Sequence, residues 1–377
     1  MVEIHEKIEA SLMIASYLET IGFNNGIWEF NYKISIIDKN MYLKIWTFLL
    51  HNYMILGGSN INITGWNASD DTILILATAL AANNGGGEKM YKKYYLEYFD
   101  ILKEDKRIPG YTTINSLELV KRNTQVPVNS KMGGNGAAMR TSPIGLVWYK
   151  DIEKVIEESL IASKLTHNYY IGFLGGMVSA LFTAFAMNNI DPWKWCDELL
   201  KLENIILKYY SLDDIDGLNK YLGYWKKYKE TRISKLIYKN TSNNFIFPDE
   251  RTEFLLGFSS NSKVKNQLLE GKKFDNIEIN WEKIGADGLD SCIYAYDCLL
   301  LSMNTPGANI LDFNNITYGW DSFVALVAIH PGDNDTTAAI GGSWYGALLG
   351  YHGVDRERMK QLEFYKELKK VSDKIII

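Results

Sequence analysis

The stretch NYYIGFLGGMVSALFTAFAMNNI, Asn168 to Ile190, carries no charged residue. Its length raises the question of a membrane span. The reading here is against one. Asn168, Tyr169, Tyr170, Asn188 and Asn189 shorten the fully apolar part, and the interior is rich in Gly and Ala rather than Leu and Ile. Gly172, Gly176, Ala180 and Ala184 recur every four residues, which lines one helix face with small side chains. Another helix backbone can approach such a face closely. The same rule holds inside membranes, so the row alone does not decide. The stretch is read as a central buried helix of a large helical protein. A second small-residue row, Ala338, Gly342, Gly346 and Gly350, runs through the stretch from Ala338 to Gly350.

The surrounding pattern is also helical. Ile8, Leu12, Ala15, Leu18 and Ile21 recur at helical spacing before Gly22 and Gly26 break the run. Met41–Tyr53 reads as a helical or buried segment. Thr72–Ala82 is an uncharged apolar run that stops at Asn83-Asn84-Gly85-Gly86-Gly87. Ala137–Trp148 is expected to be a helix interrupted at Pro143, and Ile152–Ser163 an amphipathic helix. Ile293–Ser302 is expected as a helix, and Arg356–Lys374 as a charged amphipathic helix. Leu200–Glu282 is more polar and less patterned, with a loop at Ser259-Ser260-Asn261-Ser262. Strand alternation is scarce, βαβ order is absent and no repeat is visible, so an all-α architecture follows. A length of 377 residues permits two domains or one large one. The expectation is a single domain over 1–377, with 200–282 as its variable part.

Hydrophobic residues make up 47% and charged residues 23%, so the chain can bury a substantial core and is not disordered. Net charge is −5, which disfavours nucleic acid as the main partner. The densest basic cluster is Lys226, Lys227, Lys229, Arg232 and Lys235, interleaved with Trp225 and Tyr228. Base stacking is conceivable there, but the cluster reads better as the solvated face of a helix. The three cysteines, Cys196, Cys292 and Cys298, lack zinc-site spacing and fit a reducing compartment. Met1-Val2-Glu3-Ile4-His5-Glu6-Lys7 has no signal-peptide core. A cytoplasmic monomer, with no membrane and no nucleic-acid partner, is the expectation.

Two acidic clusters share one layout. Ser69-Asp70-Asp71-Thr72 stands immediately before the apolar run, and Gly332-Asp333-Asn334-Asp335-Thr336-Thr337 immediately before the Ala338 helix. The plain reading is helix capping, where hydroxyls and carboxylates accept from free amides and complement the helix dipole. Capping needs one such residue, not two carboxylates with hydroxyls beside them. If both helix starts meet, four carboxylates repel unless neutralised. A pair of hard divalent cations would neutralise them, and oxygen donors favour Mg, Ca or Mn over zinc.

The sequence resembles the ADP-ribosylhydrolase family, related to the dinitrogenase reductase-activating glycohydrolases, and within it the ADP-ribosylarginine hydrolases. The resemblance spans almost the whole chain. It is carried by Asn25-Gly26-Ile27-Trp28-Glu29-Phe30, Ser69-Asp70-Asp71-Thr72 and Gly133-Gly134-Asn135-Gly136-Ala137-Ala138-Met139-Arg140. Thr166-His167, Gly172, Ser179-Ala180-Leu181-Phe182-Thr183-Ala184 and Ala295-Tyr296-Asp297 continue it. Gly332-Asp333-Asn334-Asp335-Thr336-Thr337-Ala338-Ala339-Ile340 and Leu362-Glu363 complete it. Two departures stand out. Leu18-Glu19 replaces the family's usual Gly-Asp, and Pro331 replaces a glycine before the last acidic motif. Leu200–Glu282 matches poorly.

The resemblance implies a compact, orthogonal multi-helix bundle with a binuclear metal cleft. It implies hydrolysis of the N-glycosidic bond between ADP-ribose and arginine on modified proteins, the partners being ADP-ribosylated proteins and ADP-ribose. Hydrolysis of O-linked ADP-ribose, from serine or polymer, and a non-catalytic ADP-ribose-binding module are the alternatives. By resemblance Ser69, Asp70 and Asp71 hold two Mg2+ per chain from one side, and Asp333, Asp335 and Thr336 from the other, with Mn2+ as a substitute and Asp335 as the bridge. Asp70 or Asp71 is the general base, and Glu29 sits in a catalytic flap near the metals. Gly133, Gly134, Asn135 and Gly136 are the ligand-binding loop, with glycine amides and the next helix N-terminus facing a diphosphate. Arg140, His167 and His330 are read as structural, and Trp28 and Trp344 as core.

Overall fold

A computed structural model describes residues 2–31, 39–210, 215–233, 283–302 and 319–375. Among them every regular element is helical, and the β pairing is one isolated bridge between Gly134 and Asp287. Helices α1 (Ile4–Phe23), α2 (Lys39–Ile55), α3 (Asp70–Asn83), α4 (Gly87–Glu97), α5 (Phe99–Leu102) and α6 (Tyr111–Lys121) precede the glycine-rich stretch. After it come α7 (Ser142–Val147), α8 (Ile152–Lys164), α9 (Tyr170–Met187), α10 (Trp195–Lys201), α11 (Glu203–Tyr209) and α12 (Ile215–Tyr228). Then follow α13 (Asp290–Ser302), α14 (Trp320–Val327), α15 (Asn334–Leu349) and α16 (Tyr365–Ser372). The chain is all-α, as its periodicity predicts.

Helix α9 is long and apolar enough to cross a membrane by composition, yet every residue of it is buried in protein. Its small-residue row explains how. A Cβ at Gly172 would meet Met132 O at 2.5 Å, and one at Gly176 would overlap the Ser163 hydroxyl of α8. Gly145 of α7 lies against Ala180 O and Ala184 N on the same row. At the far end Phe182 packs 5.2–5.3 Å from the rings of Trp195, Trp225, Tyr296 and Trp344. This aromatic cluster joins α9, α10, α12, α13 and α15.

The second small-residue row does the same for α1 and α15. A Cβ at Gly342 would meet Ile14 O at 2.9 Å, and one at Gly346 would meet Ala10 O at 2.5 Å. The Ser11 hydroxyl donates to Ser343 O at 2.9 Å, closing this contact between the two backbones. Further along α1, Gly22 lies against Asn334 O and Asp335 Cα, both about 3 Å from where a Cβ would sit. The end of α1 is thereby pinned to the first turn of α15.

Two segments depart from the sequence reading. The expected helix from Ala137 begins only at Ser142. Residues 136–140 turn instead, because the buried Arg140 guanidinium donates to Gly136 O, to Ala162 O (3.1 Å) and to the Thr166 hydroxyl (2.7 Å). Pro143 starts α7 rather than interrupting it, since a first-turn residue has no intrahelical use for its N–H. The expected C-terminal helix is divided. A 3-10 turn covers Arg356–Gln361, Leu362 is extended (ψ 136°), and α16 begins at Tyr365. In the basic cluster Trp225 and Tyr228 are core residues and Arg232 pairs with buried Asp297 at 2.9 Å, so the aromatics face inward. Lys235 and the loop at Ser259-Ser260-Asn261-Ser262 lie outside the described residues. So does most of the variable part, whose described pieces are helical.

Gly346→Val tests the backbone contact. Overpacking of this kind costs about 1–3 kcal/mol. The guanidinium unfolding midpoint is expected to fall accordingly, and an unchanged midpoint would mean that α1 and α15 do not touch there.

Candidate active site

The site grows from the first turns of α3 and α15. Ser69 is the N-cap of α3, and its hydroxyl accepts from the Asp71 amide at 3.2 Å. One hydroxyl meets the capping need, which leaves the carboxylates of Asp70 and Asp71 for other work. Asp333 occupies the N-cap position of α15 but makes no side-chain capping bond. Its Oδ2 instead accepts from Asn135 Nδ2 at 2.9 Å. Asp335 Oδ1 accepts from the Thr336 amide at 2.8 Å. Ser69, Asp70, Asp71, Asp333, Asp335 and Thr336 are all buried.

The two helix starts meet. The Ser69 hydroxyl lies near enough to the Asp335 carboxylate to offset part of the rise in its pKa caused by burial, and the Asp335 charge acts on both Asp70 and Asp71. Glu29 joins them from the turn after α1: one carboxylate oxygen each from Glu29, Asp333 and Asp335 lie within 4.8 Å of one another. That turn is tied down by the Phe30 amide, which donates to Gly332 O at 2.7 Å. Asn67 donates to Asn25 Oδ1 through its amide and its side chain, at 2.8 and 2.9 Å. Trp28 packs edge-on against Trp66 at 6.3 Å as part of the core.

The glycine-rich stretch divides in function. Gly133 and Gly134 are half-buried and run beside Asp287 and Gly288, the Gly288 amide donating to Gly133 O at 3.1 Å. Asn135 braces Asp333 against Gly285 O, to which it also donates at 2.6 Å. Gly136 is buried, and a Cβ there would meet His167 Cε1 at 2.6 Å. The next helix N-terminus is six residues beyond Gly136, at Ser142. His167 is wholly buried; burial first, and then the Arg140 charge, lower its pKa to about 3. It is therefore a neutral packing residue held to the Thr166 hydroxyl at 2.8 Å. His330 meets the Thr337 hydroxyl at 2.8 Å, and Trp344 donates to Ser179 O at 3.0 Å, both within the helical core.

Two contributors are not in the acidic motifs. Glu19 of α1 is fully buried, accepts from the Ser69 amide at 3.2 Å and takes the Thr72 hydroxyl bond. It holds the start of α3 to α1. Burial, opposed by the Thr72 bond and reinforced by the Asp335 charge, pushes its pKa up to about 8. In the sequence it is the acid of the Leu18-Glu19 pair. Arg107 and Glu363 form the other contributor, an ion pair at 2.6 Å that brackets Ala68, the residue before Ser69.

Burial raises Asp70, Asp71, Asp333 and Asp335 above the ordinary carboxylate range, and for the first three the Asp335 charge adds to it. Asp71 Oδ2 is buried with no hydrogen-bond partner among the described residues. A water-excluded group of oxygen donors with an orphaned carboxylate oxygen fits hard divalent cations such as Mg2+.

Fold and site together define an all-helical protein whose acidic centre joins two helix N-termini. Residues 27–377 match the family model described as ADP-ribosylglycohydrolase, and the chain belongs to that family of hydrolases acting on ADP-ribose linkages. It is 28% identical to the "ADP-ribosylhydrolase ARH1" of Dictyostelium discoideum, over 95% of this chain and 91% of that protein. A solved structure described as an "ADP-ribosylglycohydrolase-related protein complex" shares the fold. Its TM-score is 0.53 at 13% identity, covering 98% of both chains.

The raised acids make a pH prediction for protein kept in chelator. Glu19 has an ordinary value of 4.5 and a folded one of about 8, so between them the folded chain binds more protons than the unfolded one. Stability then falls as pH rises through that window. The melting temperature is expected to decline from pH 5 to pH 8, and Glu19→Gln to flatten the decline. A melting temperature that climbs across the window, with Glu19→Gln tracking the parent chain, would contradict the assignment.

Proposed function

We propose that this chain hydrolyses the N-glycosidic bond between ADP-ribose and arginine on modified proteins, with two Mg2+ ions in its acidic centre. The observation that carries the reading is the convergence of Glu29, Asp333 and Asp335 with Asp70 and Asp71 in one buried space. Isolated caps have no reason to converge. Ser69, Asp70 and Asp71 would hold the ions from α3, and Asp333, Asp335 and Thr336 from α15. Mn2+ would serve in place of Mg2+. Asp335 suits the bridging place because its charge reaches Asp70, Asp71 and Asp333 alike. Glu29 stands close enough to Asp333 and Asp335 to help hold a cation as well as to act on substrate.

When bound, the ions supply Lewis-acid polarisation of the ribose and of the attacking water. Asp70 or Asp71 takes a proton from that water as its oxygen bonds to the anomeric carbon. The carbon–nitrogen bond breaks with its electron pair going to nitrogen, the proton held by the aspartate passes to that nitrogen, and the products are ADP-ribose and unmodified arginine. Gly133 and Gly134 leave main chain accessible for the diphosphate, and Asn135 keeps Asp333 in place from the same loop. The resemblance at Trp28-Glu29-Phe30 and Leu362-Glu363 supports arginine over O-linked ADP-ribose. Three buried free thiols suit a cytoplasmic setting.

Two protein substrates test the reading, one ADP-ribosylated on arginine and one on serine, each with Mg2+ and with chelator. Mg2+-dependent release of ADP-ribose from arginine alone is expected. Release from serine alone would overturn the linkage, and binding of ADP-ribose without release from either would overturn the activity. Asp335→Asn is expected to cut turnover by more than about 100-fold, since loss of a mere supporting group costs about 10–100-fold. Full activity would sink the two-metal assignment.

A further inference from the structure

We propose that Arg107 and Glu363 are positioning residues of the acidic centre: they set the turn that carries Ser69, Asp70 and Asp71. The inference rests on the reading that the centre holds divalent cations. Arg107 is 2% exposed and grips Glu363 with both ends of its guanidinium, at 2.6 and 2.8 Å. Such forked pairs fix direction as well as distance. Between them they hold both polar groups of Ala68. The Ala68 amide donates to Glu363 Oε2 at 3.0 Å, and Arg107 Nη1 donates to Ala68 O at 2.8 Å. The residue immediately before Ser69 therefore has no freedom to turn. Phe364 covers the pair, its ring 5.3 Å from the guanidinium.

The same anchor works on the other side of Asp70. Arg107 ends a 3-10 turn (Asp105–Arg107), and Ile108 follows at φ +50°, ψ +51°. A β-branched residue rarely adopts that conformation, and such strain persists where the surroundings over-determine it. Through it the chain turns to Gly110, whose backbone lies near enough to Asp70 to offset part of the rise in pKa that burial causes. The Ile108 side chain also lies against Gly26, in the turn that leads to Glu29. One ion pair thus sets the residue before the acidic motif and a loop that lies against Gly26, in the turn that leads to Glu29. The Arg356–Glu9 pair, at 2.7 Å, likewise ties the C-terminal stretch to α1, with its bonds going to Tyr351 and Lys369. It serves as the internal control.

The test is Mg2+ binding to the full chain by titration calorimetry, beside melting temperature, for Arg107→Met, Glu363→Gln and Arg356→Met. Arg107→Met and Glu363→Gln are expected to weaken Mg2+ binding about 10–100-fold, as loss of groups behind metal ligands does. Their double variant is expected to be no weaker than the worse single one, because they act as a unit. Arg356→Met is expected to lower the melting temperature without moving the Mg2+ affinity. Should Arg107→Met not fold, Glu363→Gln, which keeps the shape of the side chain, decides the matter alone. If the parent chain binds Mg2+ and Glu363→Gln binds it equally well, the positioning role is overturned while the cation reading stands. If the parent chain binds none, both fall.

Discussion

Carboxylates buried side by side repel, and the architecture is arranged around that repulsion. Asp70, Asp71, Asp333, Asp335, Glu29 and Glu19 lie in one water-poor space, where the ionised forms cost most. The first turns of α3 and α15 point their partial positive ends at it. Amides from Ser69 and Thr336 and the side chains of Thr72 and Asn135 supply donors. Those donors are too few, as Asp71 Oδ2 shows by lacking one among the described residues. A chain does not assemble such a group for stability. It does so where a positive ligand completes it, and that is the logic of the proposed divalent-cation centre.

Holding the acids together requires helices that cannot slide. Gly342 and Gly346 put the backbone of α15 on that of α1, and Gly22 locks the end of α1 to Asn334 and Asp335. Glu19, on the last turns of the same helix, then reaches the start of α3. Helix α1 is thus the rail on which both acid-bearing helix starts are aligned. On the opposite side Arg140 gathers Gly136, Ala162 and Thr166, which fixes the loop that carries Asn135 against Asp333. Packing and chemistry are joined here by single residues: a side chain at Gly22 would displace the backbone beside Asp335.

Much of this is legible in the sequence because it is local. The rows Gly172–Ala184 and Ala338–Gly350 announce close helix contacts within a few turns, and the Ser69-Asp70-Asp71 and Asp333-Asn334-Asp335 motifs sit directly before apolar helical runs. That the two motifs meet is not local, and only the likeness to a family suggests it. Glu19 escapes because its partner Ser69 is 50 residues away, and Arg107 because Glu363 is 256 away. The misread helix starts have the same origin. Ala137–Arg140 has helical composition, but the buried guanidinium of Arg140 claims the Gly136 carbonyl. Leu362 and Glu363 lie in a charged helical pattern, but Glu363 leaves it to reach Ala68.

The central claim is that α3 and α15 jointly hold two cations. Crystals of the chain soaked in Mn2+ and measured at the manganese absorption edge test it most directly. The account predicts two anomalous peaks, flanked by Asp70 and Asp71 on one side and by Asp333 and Asp335 on the other. A single peak, or none between the two helix starts, would contradict it.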